Sequence, residues 1–354
     1  MSTEFSLSNN NIHNNYRKKT PQGLMLNEIL DVTGPRKNVW YADTFSLPTF
    51  RNLERYYKGA GTVILYCWWD PADSRLLKYI DKLDLDFIII TSDPDLSGEH
   101  ERIKKIKWRL QYGFHNMLIQ KTAPLQHVPK KTFLCMMRNH KPERLHFLQE
   151  LWNAELLEDN FVSYLGQVNS SVVHGRTPRT IESILKPTYG VDTEYEFIAN
   201  SKFAEWCEFS LPLEILGDTS KIFENNTDFY TTGNLEWYKH TQYSVVLETY
   251  WARTEFLTEK SFKPIIAKHP FINLGNNSNR LLVKLGFDVF EDVFGIDHDN
   301  MSAANKISAI IPKLKSYDID PKRAANNREN MYQLHIMAKH EQKQIAQQVS
   351  NMLI

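Results

Sequence analysis

The stretch Glu255–Gly275, EFLTEKSFKPIIAKHPFINLG, decides the fold. It holds two acids, three lysines and two prolines, and it closes on an apolar run and a glycine. Thr258 is placed as the N-cap of a helix, because a hydroxyl there accepts from a free backbone N–H of the first turn. Pro264 removes a backbone donor and keeps that helix short or kinked. Pro270-Phe-Ile-Asn-Leu274 then reads as a strand. Upstream, Tyr243-Ser-Val-Val-Leu-Glu248 is a second apolar run that ends on an acid. Strand, loop, helix and strand follow one another here as regular α/β elements.

A related pattern recurs upstream. Val63-Ile-Leu-Tyr-Cys-Trp-Trp69 and Asp86-Phe-Ile-Ile-Ile-Thr91 are buried-strand runs, with helical periodicity between them over Asp73–Leu83, a βαβ unit that predicts a parallel sheet covered on both faces. A charged helix is expected over Gly98–Tyr112. After a linker, His127–Lys131, come a strand over Thr132–Met137, an amphipathic helix over Pro142–Glu155 with Leu145, Leu148 and Leu151 on one face, and a strand over Phe161–Leu165. Gly166–Asn234 is too broken by Gly, Pro and Thr to order. Short helices are predicted over Leu281–Phe287, ending at Gly286, and over Ile307–Leu314, with a long amphipathic helix over Arg328–Met352.

These elements predict an α/β protein of two Rossmann-like halves. The expected parts are a flexible arm over 1–36, an N-terminal α/β domain over 37–128, a C-terminal α/β domain over 129–316, and a helical extension over 317–354 that packs back. In doubly wound folds ligands bind beyond the carboxyl ends of the strands. The loops to inspect are therefore Asp70–Ser74, Ser92–Gly98, Arg138–Arg144 and Thr249–Lys260.

Composition sets bounds on function. The 354 residues are 42% hydrophobic and 12% aromatic, enough for sizeable cores, and Lys+Arg and Asp+Glu both number 42. The resulting zero net charge gives no global attraction to nucleic acid or anionic membrane. Three well-separated cysteines, Cys67, Cys135 and Cys207, read as small buried hydrophobes of a reducing compartment. The polar N-terminus MSTEFSLSNNNIHNNYRKK lacks the apolar core of a signal peptide. No window of ~18 apolar residues suggests a membrane span. A cytoplasmic protein is expected.

The chemistry concentrates where the opening stretch begins its helix. The free N–H groups and positive dipole end at Thr258 favour an anion, and Lys260 adds a full charge. Glu259 is an acceptor-only group suited to ribose hydroxyls. The alternative is a capped surface helix with Glu259 and Lys260 in water.

Ser244-Val-Val-Leu-Glu248, Phe256-Leu-Thr-Glu-Lys260 and Pro270-Phe-Ile-Asn-Leu-Gly275 together resemble the fucosyltransferase-like signature of GT-B glycosyltransferases. Leu281-Leu-x-x-Leu-Gly-Phe-x-x-Phe290 is similar to a pattern of phage- and virus-encoded members. The resemblance implies a GT-B-like fold, two Rossmann-like domains with a cleft between them. It implies a hexosyl- or fucosyltransferase-like enzyme, inverting and metal-independent, that moves a sugar from a GDP- or UDP-sugar to a glycan or other hydroxyl acceptor. By the same resemblance Glu259 matches the acid on the donor ribose and Lys260 the base on the diphosphate, with Thr258 and Glu248 beside them. An arginine of the preceding α/β unit also binds the donor in that family, and Arg138 and Arg144 both lie in the matching region. An inverting reaction needs a carboxylate to accept the acceptor's proton. Asp70, Asp73, Asp93 and Asp95, which follow buried strands, are the candidates, Asp70 and Asp93 foremost. Trp68-Trp69 beside Asp70 suits sugar stacking, or simply core.

Other readings remain open on the sequence. Asp93-Pro-Asp95 has the Asp-x-Asp form by which GT-A glycosyltransferases hold Mn²⁺ or Mg²⁺, although Asp84/Asp86, Asp297/Asp299 and Asp318/Asp320 share that spacing. A glycan- or nucleotide-binding protein without catalysis is a second. A modified DNA base as acceptor is a third, served by a basic groove at Lys104, Lys105, Lys107 and Arg109, whose plainer reading is a solvated helix face. His174-Gly-Arg176 and His269 read as structural.

Overall fold

A computed structural model describes residues 21–33, 39–43, 61–67, 85–91, 101–110, 126–139, 141–167, 188–189, 196–211, 213, 215, 235–248, 257–275, 277–295 and 301–353. The chain divides into two compact units, Met1–Phe114 with Gln333–Ile354, and His115–Tyr332.

The first unit holds α1 (Pro21–Thr33), β1 (Val39–Asp43), β2 (Thr62–Cys67), β3 (Asp86–Thr91) and β4 (Ile103–Lys107). The four strands form a parallel sheet in the order β1-β2-β3-β4. That order runs one way, so the described strands contain no reversal to open a crevice. The arm expected over 1–36 is corrected from Pro21 onward. Met25 and Ile29 of α1, one helical turn apart, are fully buried against Ile64, Ile88, Ile90 and Trp108. Polar neighbours hid this stripe in the sequence.

The charged helix expected over Gly98–Tyr112 is likewise corrected, because β4 occupies its centre. Ile103 and Ile106 are both buried, and their spacing of three mimicked a helical stripe. In a strand, side chains three apart point to opposite faces, so both faces of β4 are covered. Lys104 and Lys107 are exposed on this edge strand, where charge discourages pairing with another chain. Asp73–Leu83 and Trp68-Trp69 lie outside the described residues.

The second unit opens with β5 (Lys131–Asn139), α2 (Pro142–Asn153), β6 (Phe161–Gln167), and a two-stranded antiparallel pair, β7 (Thr188–Tyr189) and β8 (Glu196–Phe197). It continues with α3 (Ser201–Ser210), α4 (Leu235–Lys239), β9 (Thr241–Val246), α5 (Glu259–Ile266) and β10 (Phe271–Asn273). Next come α6 (Ser278–Lys284), α7 (Glu291–Phe294) and α8 (Ala303–Ile310), and last α9 (Pro321–Met352). α3 emerges from the stretch left unordered in the sequence, capped by Asn200, whose side chain accepts from Phe203 N–H at 2.8 Å. α6 ends at Gly286, which adopts the left-handed φ of +88° that a glycine takes without strain.

The main sheet is parallel in the order β10-β9-β5-β6. The chain leaves β5 for β6 on one side and later returns to place β9 on the other. The carboxyl ends of β5 and β9 therefore flank a topological switch point, the crevice where doubly wound sheets receive ligands.

α9 belongs to both units. Near its start Arg323 forks onto Asp288 and Asp292, and Asn327 pairs with the backbone of Asp288 through 2.7 Å bonds to N–H and C=O. Its later turns give Ala338, Ile345, Ala346 and Val349 to the first unit's core. There the Glu341 carboxylate accepts from the N–H groups of Arg109 at 3.0 Å and Leu110 at 2.7 Å, just past β4. No helix among the described residues is long and apolar enough to cross a membrane.

Candidate functional site

β9 carries the chain to Glu248, which is fully buried. A buried carboxylate must be surrounded by donors, and the start of α5 supplies them. Thr258 N–H donates to Oε1 at 3.0 Å, the Thr258 hydroxyl to Oε2 at 2.6 Å, and the Ser261 hydroxyl to Oε1. Glu248 was expected among the donor-binding residues; in the structure its oxygens receive the N-terminus of α5. Thr258 is the N-cap foreseen from the sequence, with its Oγ1 accepting from Lys260 N–H at 3.3 Å.

α5 is not a solvated surface helix. All its residues except Lys260 are buried. Glu259 is 5% exposed, and its Oε1 stands 3.4 Å from Lys260 Nζ, which also donates to Thr258 Oγ1 at 3.3 Å. The Lys260 side chain keeps a quarter of its surface. It is thus the accessible charge at the helix N-terminus. The helix is short and carries Pro264 inside it; it closes at Lys268, which adopts a left-handed φ of +55°, with Lys268 N–H donating to the Ile265 carbonyl at 3.1 Å and His269 N–H to the Pro264 carbonyl at 2.9 Å.

Ser261, Asn273, Ser278 and Lys306, to which no role was assigned from the sequence, complete this corner. Asn273, at the end of β10, donates to Ser261 Oγ at 2.6 Å and accepts from Gly275 N–H and the Ser278 hydroxyl, both at 2.9 Å. Lys306 of α8 is 1% exposed and donates to the Gly275 carbonyl at 3.2 Å. An asparagine inside the run Phe271–Leu274 was the one visible signal, because a buried amide in an apolar strand has partners to find. Its side-chain partners come from α5 and α6, and Lys306 arrives beside them from α8, which no local pattern predicts.

Arg144 sits in the first turn of α2, just beyond β5. It is 2% exposed, and its Nη2 reaches the carbonyl of Leu247, just beyond β9, at 3.4 Å. It therefore bridges the two strands of the switch point. Burial lowers its pKa from the ordinary guanidinium value, opposed by the neighbouring Glu143, Tyr164, Glu248 and Cys135. Burial in turn pushes the Cys135 thiol up to about 12, as befits an inert core cysteine. Cys207 is buried as well.

Arg138 lies at the end of β5, and its side chain is outside the described residues. So are Asp70, Asp73, Asp93 and Asp95, and with them both the proton acceptor and the Asp-x-Asp site expected from the sequence. Among the described residues no group of three or more His, Cys, Asp and Glu side chains is arranged to hold a metal ion.

His269 lies away from these residues, beside the start of β9. It is buried, with its Nδ1 2.8 Å from Ser244 Oγ and its Nε2 3.0 Å from the Thr241 carbonyl. The His127 ring stacks on it at 5.4 Å. It is structural, as read from the sequence.

No family model and no curated protein matches the chain. Among solved structures it is similar to a crystal structure of an alpha1,3-fucosyltransferase, with 12% identity over 86% of this chain and 94% of that one and a TM-score of 0.33. That likeness is too distant to define a common fold or an activity.

Proposed function

We propose that the chain is a glycosyltransferase that binds a nucleoside-diphosphate sugar in the second unit, at the switch point between β5 and β9. One observation carries the proposal. The N-terminus of α5 with its accessible Lys260 follows β9, while the buried guanidinium of Arg144 bridges the carboxyl ends of β5 and β9. Both features favour an anion, and parallel sheets admit ligands at this edge. The likeness of Phe256–Lys260 and its flanking strands to the fucosyltransferase-like signature supplies the ligand class.

In this reading the Lys260 ammonium holds the diphosphate at the positive end of α5, and Arg144 adds positive potential from beneath. Glu259 accepts from the ribose hydroxyls. Glycosyl transfer breaks the bond between the sugar's anomeric carbon and the diphosphate oxygen through an oxocarbenium-like state. Negative charge grows on the departing diphosphate, where these cations stabilise it without a metal. The acceptor oxygen forms the new bond from the opposite face, inverting the centre, and its proton passes to a carboxylate, for which Asp70 and Asp93 are proposed.

The test is a thermal-shift screen of wild type and Lys260→Ala against GDP, UDP, ADP and their sugar conjugates, with and without Mn²⁺. A nucleotide at 100 times its dissociation constant adds about 2.7 kcal/mol of stability. The expected result is a metal-independent shift with one nucleotide, lost in Lys260→Ala. A shift that needs Mn²⁺ and survives the substitution moves the site to Asp93 and Asp95. No shift with any nucleotide overturns the proposal.

A further inference from the structure

We infer that Glu248 is a positioning residue for Lys260, acting through the Thr258 hydroxyl. The benefit to a diphosphate ligand rests on the reading above; the positioning itself rests on hydrogen-bond chemistry. A carboxylate only accepts, whereas a hydroxyl has one hydrogen to give and lone pairs with which to receive. Thr258 gives its hydrogen to Glu248 Oε2 at 2.6 Å. Its lone pairs are thereby turned toward α5, where they receive Lys260 N–H and Lys260 Nζ, both at 3.3 Å.

The same logic fixes the other side of the carboxylate. Ser261 gives its hydrogen to Oε1 and receives from Asn273 Nδ2, while Asn273 Oδ1 receives from Gly275 N–H and the Ser278 hydroxyl. An acceptor-only group at the end of this chain dictates the direction of each bond in it. Glu248 is fully buried, so no bulk water substitutes for these donors.

A neutral amide at this position breaks the pattern. It offers one oxygen to donors that now meet two, and its NH₂ group must itself donate. The Thr258 hydroxyl then receives from position 248, and its lone pairs no longer serve both Lys260 donors. The ammonium is the donor that moves, because the backbone N–H is fixed by the helix; it then keeps its ion pair with Glu259 Oε1, at 3.4 Å, without the Thr258 acceptor. Charge at Glu248 thus parks the Lys260 ammonium above the first turn of α5, where an anion approaches. A side chain held in its working position has less freedom left to lose on binding.

The test measures acylation of Lys260 by a small amine-reactive ester, read by mass spectrometry on the full, ligand-free chain. Glu248→Gln and Thr258→Val, which keep shape and remove the acceptor relay, are expected to raise the Lys260 rate about fivefold, the equivalent of one hydrogen bond. Thr258→Ser restores the hydroxyl and returns the rate to the wild-type value. Lys263, buried in the same helix, is the control and keeps its low rate in every variant. An unchanged Lys260 rate in Glu248→Gln and Thr258→Val overturns the inference. So does an equal rise at Lys263, which means that the helix has merely loosened. Titration of the same variants with GDP and UDP addresses the donor site separately: absence of binding to wild type overturns the donor reading, while the labelling decides the relay.

Discussion

Gly275 follows β10 and lies against Glu248, just past β9, and Ser278 of α6. A Cβ there would lie 2.6 Å from Ser278 Oγ and 2.9 Å from both Cβ and Cγ of Glu248. Neither neighbour can yield, since Ser278 is bonded to Asn273 and Glu248 to Thr258 and Ser261. Gly275→Ala is therefore expected to destabilise the protein by about 1–3 kcal/mol, the usual cost of forcing extra volume into a packed site. Denaturant melts check it, and a wild-type midpoint contradicts the closeness of these chains. His269 makes a different prediction. Burial, with the His127 ring alongside, holds its pKa down at about 3 against an ordinary 6.5. The unfolded chain thus takes up the proton first. Stability from this residue is complete above pH 6.5 and declines as pH falls from 6.5 toward 3, by about 1.4 kcal/mol per pH unit at most. His127 and His146 are shifted down by burial too and act in the same direction. In His269→Gln the slope of unfolding free energy between pH 6 and 4 should lessen by about one proton; an unchanged slope would mean that the ring is already charged in the fold.

Elements were legible where one short-range rule governed them. Thr258 as a cap, the shortness of the helix that holds Pro264, Gly286 as a stop and the apolar strands β2, β3, β5 and β9 all follow from local chemistry, and the structure keeps each. β4 was misread because two isoleucines three apart suit a helix stripe as well as a strand covered on both faces, and only its neighbour β3 decides between them. α3 was missed because its buried side, Phe203, Ala204 and Cys207, is short and its surroundings are polar. At the site, Thr258, Glu259 and Lys260 were legible as a helix start. Ser261, Asn273 and Lys306 were not, because their partners are brought in by elements distant in the chain. The difference between a local cap and a networked one can be measured. Asn200 caps α3 from an exposed position, whereas Thr258 caps α5 while donating to a fully buried carboxylate. Asn200→Ala should cost about 1 kcal/mol, the typical value of a cap. Thr258→Ala should cost roughly 2–3 kcal/mol, because it also leaves Glu248 Oε2 short of a donor. Equal costs in urea titrations would show that Glu248 replaces the lost bond at no expense.

At the scale of the whole chain, the first unit is completed by residues more than two hundred positions away from its sheet. Ala338, Ile345, Ala346 and Val349 pack with Ile64, Ile88, Ile90 and Ile106, and Glu341 receives the backbone just past β4. The sequence showed an amphipathic C-terminal helix but not which core it completes, since periodicity names a face and not its partner. A charge placed on that face should therefore act on the opposite end of the sequence. Val349→Asp puts a carboxylate without a partner into the first core, a cost large enough to open it. Amide hydrogen exchange should then accelerate across β2 and β3, while β5 and β9 keep their protection, because opening spreads through one cooperative unit at a time. Loss of protection in both sheets together would make the chain a single cooperative unit. Retention in both would remove α9 from the first core altogether. The selective outcome would also explain why one unbroken helix, Pro321–Met352, is clamped through Arg323 and Asn327 near its start and buried through Ala338–Val349 in its later turns. Its start and its later turns thus serve different units.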